Sequence, residues 1–301
     1  MQSKPEALGV RVAVMALVLG VGLGACSSPR QAAVFQVPPG PSRLIPLSAD
    51  VPVLTARLRS LGDAGAKVVV EGHSVVVQGG GPLPAPASFF VKVGHLSFRP
   101  VVCGAPPYRK SSPVPNPGAL PACGEQYRTS GSNLGLAPSA NSAFGYVINS
   151  IGPDPAFTMY SSTTAHDADA PSTTVLLPND PTNQGAPYPR FVLGPAQMEG
   201  APFTTTGAHF DRSIEGWIVE GTFTSSGAIQ WDRTTQADFH QYLAIDMDGD
   251  VLSAPLIQPA NITFASFAGK FEIAGRFTGT TAKQLAALLK SGPLPAPLVP
   301  G

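Results

Sequence analysis

Between Asp50 and Gly62 the apolar positions Val51, Leu54, Leu58 and Leu61 recur at three- and four-residue steps, the spacing of one helix face. Asp50 is placed to cap that helix, Pro52 is tolerated in its first turn and Gly62 stops it. Two valine-rich runs follow, 66–71 and 74–78, and Gly72-His73 between them predicts a hairpin turn. The run 87–93 reads as a short apolar helix or strand, and 95–102 as a strand. Further on, 216–224 alternates cleanly, with Trp217, Val219 and Phe223 on one side and Glu220, Thr222 and Thr224 on the other. Ser225 or Ser226 caps a helix through Ala228, Ile229 and Trp231. Strands at 241–247 and 250–253 flank Asp248-Gly249, and 270–278 is another strand. Thr281-Ala282-Lys283-Gln284 reads as a capping box opening a helix with Leu285, Leu288 and Leu289 on one face and Gly292 as its stop. Strands with interspersed helices predict the α+β class.

From 104 to 188 the pattern lapses. Pro, Ser, Asn, Gly and Thr dominate there, and only 143–151 and 156–160 have the composition to pack. A structureless loop of that length is unusual inside one domain, so the segment reads as an insertion or linker. The division predicted is a compact unit at 48–103, the insertion at 104–188, a second α+β domain at 189–292 and a tail at 293–301. Composition fits that division: 43% of residues are hydrophobic and only 13% charged, about half the usual charged share. The Gly 32 and Pro 33 cluster between the apolar runs. Formal net charge is zero, which points away from nucleic acid as a partner.

Residues 1–25 stand outside the fold. Lys4 and Arg11 lie in a polar start, and the apolar run 12–23 is short of the ~20 residues that span a bilayer. It has the length of a secretory signal. The run ends in Leu23-Gly24-Ala25-Cys26, which resembles the lipobox of bacterial lipoproteins, with Ser27-Ser28-Pro29 opening a tether over 26–47. Cys26 is thereby expected to carry lipid and hold the protein on the extracytoplasmic face of the cell membrane; the alternative is an ordinary cleaved signal with a chance cysteine. In an oxidising compartment the remaining Cys103 and Cys123 are expected to form a disulfide. A metal role would need more ligands, and none of the five histidines lies between them.

Candidate chemistry is sparse. Asp246, Asp248 and Asp250 alternate as a calcium loop begins, but such a loop needs glycine at its sixth position and an acid at its twelfth. Val251 and Ile257 stand there instead, and Asp248-Gly249 is a two-residue hairpin signal. His166, Asp167 and Asp169 read as part of a solvated loop. His209 and Asp211 could share one side of a strand and hold a metal, but an ordinary strand is the favoured reading. No nucleophile elbow of the Gly-x-Ser-x-Gly kind is present in the sequence.

Several segments, in order, resemble the first periplasmic domain of the SecD family. Gly275-Arg276-Phe277-Thr278, the Leu-Ala-rich run 282–291 and Gly292-Pro293-Leu294-Pro295-Ala296-Pro297 are similar to the end of that domain. Val192-Leu193-Gly194-Pro195 resembles the family's opening of the head subdomain, 217–231 its strand–helix order, and Leu252-Ser253-Ala254-Pro255 its turn sequence. Less closely, 54–62, 75–80 and Leu96-Ser97-Phe98-Arg99-Pro100 resemble the base subdomain. The resemblance implies a ferredoxin-like base fragment, a SecD-type α+β head and a role in helping exported chains leave the Sec channel. The family's proton-coupling charges sit in membrane helices, and no run of these 301 residues after the leader is long enough for one. The implied protein is a non-enzymatic lipoprotein, without cofactor or metal, that binds exported or unfolded polypeptide or Sec translocase components. The alternative is an envelope lipoprotein reusing the fold for a lipid, a cell-wall component or a protein partner. Phe223, Phe264, Phe267 and Phe271 are the expected binding residues, with core packing as the competing role of each.

Overall fold

The first strand, β1 (Gln31–Gln36), lies inside the stretch that reads as a tether. After a 3-10 turn at Leu47–Ala49 come α1 (Val51–Ser60) and the hairpin of β2 (Lys67–Glu71) and β3 (Ser74–Gln78). One helical turn, α2 (Ala87–Phe90), leads into β4 (Leu96–Ala105). The short strands β5 (Ala137–Pro138) and β6 (Tyr146–Val147) pair with each other. Next come β7 (Val175–Pro178), β8 (Arg190–Leu193), β9 (Met198–Glu199), β10 (Phe203–Asp211) and β11 (Gly216–Phe223). The chain closes with α3 (Ser225–Ala237), β12 (Leu243–Met247), β13 (Asp250–Ser253), β14 (Lys270–Phe277), α4 (Gly279–Ser291) and β15 (Val299–Pro300). The structure is a computed structural model, and it describes residues 31–38, 45–79, 81–108, 120–125, 128–129, 137–138, 146–147, 152–157, 163–164, 170–182, 188–200, 203–295 and 297–301.

Three larger sheets organise these elements. The first has the order β15-β1-β3-β2, each neighbour antiparallel. With α1 and α4 as its crossovers this is the split β-α-β arrangement of a ferredoxin-like unit. Its last helix and strand come from the far end of the chain, so everything between β3 and α4 is inserted into the base. The second sheet runs β13-β12-β4-β8-β7, with β9 on β4, and the third is β10-β11-β14. Helix α4 packs on β10, β11 and β14 and also on α1. Both of its flanks are therefore apolar: Ala282, Leu285, Ala286, Ala287, Leu288 and Leu289 are all buried.

Local chemistry explains the boundaries. Thr278 caps α4, its hydroxyl accepting from the Thr281 amide while Thr281 returns the bond to the Thr278 amide. The capping box thus sits one turn before the one read at Thr281, because a threonine serves where a glutamate is usual. Thr224, one residue ahead of the two serines, caps α3 by accepting from Gly227. Strand β7 falls within the irregular stretch; its Val175, Leu176 and Leu177 are fully buried, so it lacks the alternation that marks a half-exposed strand.

The acidic turn is a hairpin between β12 and β13. Asp248 and Gly249 take φ of 53° and 84°, the pair of positive angles that a type I′ turn requires. The Asp248 carboxylate accepts from the Gly94 and His95 amides, each at 2.9 Å. Asp246 points elsewhere, buried at 3.4 Å from the Arg99 guanidinium. Arg99 also donates to the carbonyls of Thr173, Gly194 and Ala170, holding two loops against β4.

A second buried arginine ties base and insertion together. Arg57 of α1 is 0% exposed and donates to the carbonyls of Phe90, Lys92, Val93 and Gly292 and to the Ser291 hydroxyl, at 2.5 to 3.3 Å. Burial pulls its guanidinium down to about 10, opposed by the nearby Asp248 and Asp50, so it stays charged at neutral pH. Replacing Arg57 with Met keeps much of the volume but strands the carbonyls, and should destabilise the fold by about 3–5 kcal/mol. Urea unfolding would measure it, and a loss below ~1 kcal/mol would contradict this role.

Asp238, at the C-terminal end of α3, is 2% exposed. Burial pushes its carboxyl up to about 6, against a hydrogen bond from Gln197 that pulls it down. Because the folded value exceeds the unfolded one of ~3.9, its contribution to stability is complete below about pH 4 and is lost as pH rises through about 6. Asp238→Asn should therefore gain in melting temperature relative to the parent as pH is raised across that window. A difference that stays flat with pH would refute the assignment.

Candidate binding cleft

Strands β10 and β11 carry small residues where the third sheet turns toward α3: Thr205, Thr206, Gly207, Gly221 and Thr222. Large side chains surround them, and the result is a cavity of about 800 Å³. Lys270, Phe271 and Glu272 of β14, Trp231 of α3 and Phe267 form one wall, while Ile245 of β12 and the run 255–258 form the other. Gly221 permits the arrangement. A Cβ there would lie 2.3 Å from the Phe271 ring and 2.8 Å from the Thr205 carbonyl.

The aromatic wall is continuous with the core. Phe98 of β4 lies 5.1 Å from Trp231, which lies 5.5 Å from Phe223 and 5.8 Å from Phe267. Phe203 stacks at 4.9 Å on Phe223 and 4.7 Å from Phe271. The Trp231 indole donates to the Lys270 carbonyl at 3.0 Å, which fixes β14 against α3. The run from Pro255 to Gly269 is held by side chains: Gln258 accepts from the Ala265 amide at 2.9 Å, and Asp232 of α3 accepts from the Phe267 amide at 3.1 Å.

Of the four phenylalanines expected to bind, two belong to the core. Phe223 is 3% exposed and Phe271 6%, although Phe271 also lines the cavity. Phe267 is half-buried and lines it with Trp231. Phe264 stands farther out, 6.3 Å from Phe267 and 6.1 Å from Phe239. Sequence reasoning missed Thr205–Gly207 and the 255–258 wall. Their signal was faint: small residues in a strand and apolar residues after a Ser-Ala-Pro turn are ordinary features.

The rim is charged. Glu220 and Glu272 face each other directly across β11 and β14, and His209 lies 3.5 Å from Glu220. Asp211 instead turns to Ser213, whose hydroxyl and amide both donate at 2.7 Å and hold its carboxyl below the usual range. His209 and Asp211 therefore serve different partners. Away from the cleft, Cys103 and Cys123 are joined as a disulfide with Cα atoms 6.2 Å apart. The neighbouring Asp154 accepts from the Gly124 and Ala156 amides, at 2.7 and 2.8 Å, so its oxygens are committed to the loop. Cys26, His166, Asp167 and Asp169 lie outside the described residues. No helix among the described residues is long and apolar enough to cross a membrane.

Comparison with known proteins places this geometry. Residues 175–296 match the model of the SecDF P1 head subdomain. The SecD protein translocase subunit of Acetobacter pasteurianus is 32% identical over 142 residues, covering 47% of this chain and 26% of that protein. The SecD subunit of Syntrophobacter fumaroxidans is 38% identical over 101 residues, covering 34% and 18%. The SecDF subunit of Thermus thermophilus is 37% identical over 106 residues, covering 35% and 14%. The chain thus spans about a quarter or less of the length of these relatives. Two solved structures share the fold across 89% of this chain. One is of SecDF, a membrane component that enhances protein export (TM-score 0.50, 21% identity, 97% of that chain); the other is of SecDF in a super-membrane-facing form (TM-score 0.52, 22% identity, 29% of that chain). Residues 175–296 are thus similar to the SecDF P1 head subdomain, in a chain whose α+β fold is shared with solved structures of SecDF.

Proposed function

We propose that the protein is a lipid-anchored extracytoplasmic module that binds exported polypeptide in this cleft and assists Sec-dependent export. The observation that carries the reading is the cleft itself. It offers about 800 Å³ walled by Trp231, Phe267, Phe271, Ile245 and Ile257, inside the subdomain shared with translocase subunits. An unfolded chain presents alternating apolar side chains and backbone polar groups. A half-open apolar wall with a charged rim accommodates both. The role is one of binding, with no bond made or broken. The anchor is Cys26, separated from β1 by the four residues Ser27, Ser28, Pro29 and Arg30, which keeps the base close to the membrane surface.

Photocrosslinkers at Leu256 and Phe267, in cells carrying a stalled exported substrate, test the binding role. Adducts with the nascent chain are expected; adducts confined to lipid or envelope glycan would sink it and favour a lipid or cell-wall ligand. For the anchor, Cys26→Ser should move the protein from the membrane fraction to the soluble one and abolish labelling by radioactive palmitate. Unchanged labelling would rule out that cysteine.

A further inference from the structure

We infer that the outer edge of β10 receives an extended polypeptide segment as an added strand, and that it favours segments that place a lysine or arginine opposite Gly207. This deepens the reading of the cleft as a polypeptide site and rests on it.

Strand β10 is one end of the sheet β10-β11-β14, and among the described residues no strand pairs with its outer side. It is nine residues long. From Phe203 to Ala208 it carries neither charge nor proline, and Thr204 and Thr205 are exposed. Helix α4 packs on this strand, the Thr206 hydroxyl donating to the Ala286 carbonyl at 3.0 Å, and charge enters only at His209 and Asp211, but no strand covers the outer amides and carbonyls, which can template another strand. The opposite edge shows the usual protection: β14 alternates Lys270, Glu272 and Arg276, and the Arg276 amide is already bound by the Thr182 carbonyl at 2.7 Å. Open and guarded edges on one small sheet make β10 the receiving side.

Charge selects the occupant. Gly207 pairs with Glu220, and Glu220 with Glu272, so two carboxylates stand in line inward from the edge at the one position where β10 has no side chain. Nothing lies within 4 Å of where a Gly207 side chain would begin. An added strand lies ~4.8 Å outside β10, about 10 Å from β11. A lysine or arginine on it can lay its stem across Gly207 and bring its charge to Glu220. Two like charges directly opposite are unfavourable, and a cation supplied across Gly207 relieves them from the side of Glu220 that His209, 3.5 Å away, leaves open.

The test uses the full chain and two synthetic peptides of about ten residues, one alternating valine with lysine and one alternating valine with glutamate. The lysine peptide should bind at low salt, slow hydrogen exchange at alternate β10 amides, and bind at least about ten-fold tighter than the glutamate peptide. Glu220→Gln should narrow that ratio while leaving the β10 protection in place. Of Thr205→Pro and Thr206→Pro, the one whose amide faces solvent should lose the peptide; Thr205→Pro in that case should melt like the parent, and Thr206→Pro, which also loses its hydroxyl's bond to the Ala286 carbonyl, should melt like Thr206→Ala. Equal binding of the two peptides overturns the inference. So does a proline variant at either position that melts as expected and still binds with β10 protected, or β10 protection that grows with protein concentration and needs no peptide. If nascent chains crosslink at Leu256 and Phe267 yet β10 stays unprotected, only the edge inference falls. If the lysine peptide protects β10 but no exported chain is ever crosslinked, the export reading falls and the edge stands.

Discussion

Helix α4 is shared between two layers, and its far end must still satisfy its hydrogen bonds. One flank closes on α1 of the ferredoxin-like base, and the other lies on the sheet of the head. A helix flanked on both sides leaves its last carbonyls partly shielded from water, and they need other donors. Arg57 supplies the missing donors at Ser291 and Gly292, and in the same fan of bonds it takes the carbonyls that lead into β4. A cation is also the right charge for that end of a helix dipole. Lysine would bring one point charge on a flexible stem, whereas the planar guanidinium reaches acceptors on three segments at once. Its desolvation is the cost of joining base and head through a single buried group.

From that junction, constraint passes to the cleft through aromatic contact. Phe98 sits on β4, whose start is fixed by the Asp248 carboxylate on the Gly94 and His95 amides. Phe98 meets Trp231, Trp231 meets Phe223 and Phe267, and Gly221 lets Phe271 lie flat over β11. The walls of the cleft are thus the exposed end of a packed core. That accounts for the split among the four phenylalanines. A cavity of this size with an aromatic wall keeps its shape in water only if the residues behind that wall are locked, which is the part Phe223 plays.

Much of the scaffold was legible in the sequence wherever one face of an element meets water. The β2–β3 hairpin, α1, β11, β13 and the Asp248-Gly249 turn lie within a residue or two of their predicted bounds, because alternation, caps and turn residues are local signals. Elements buried on both sides or defined by a distant partner left no such trace. Strand β7 is uniformly apolar and short, and β1 and β15 become strands through pairing with each other across nearly the whole chain. The stretches that read as tether and tail therefore contain the first and last strands of the base. The cleft was harder still. Phe267 and Phe271 stand out in sequence as aromatics, but nothing local distinguishes a lining aromatic from a core one. Thr205–Gly207 matter through the register that sets them beside Glu220.

The motifs that link this chain to the SecD family are of the legible kind. Gly194 follows the Val192-Leu193 strand and gives its carbonyl to Arg99; Asp248-Gly249 makes a turn only positive φ allows; Gly292 ends α4 where Arg57 binds. Each answers a backbone or hydrogen-bonding demand of this scaffold and not of a ligand. The lining of the cleft lies between those motifs, on residues under no such backbone demand except at Gly221. This separation explains how a fold can be shared over 89% of the chain at 21–22% identity. It also locates where ligand choice is free to differ. Glu220, Glu272, Lys270 and the 255–258 wall line the cleft apart from the turn, the cap and the buried arginines, so under the proposed binding role they are where selectivity would be set.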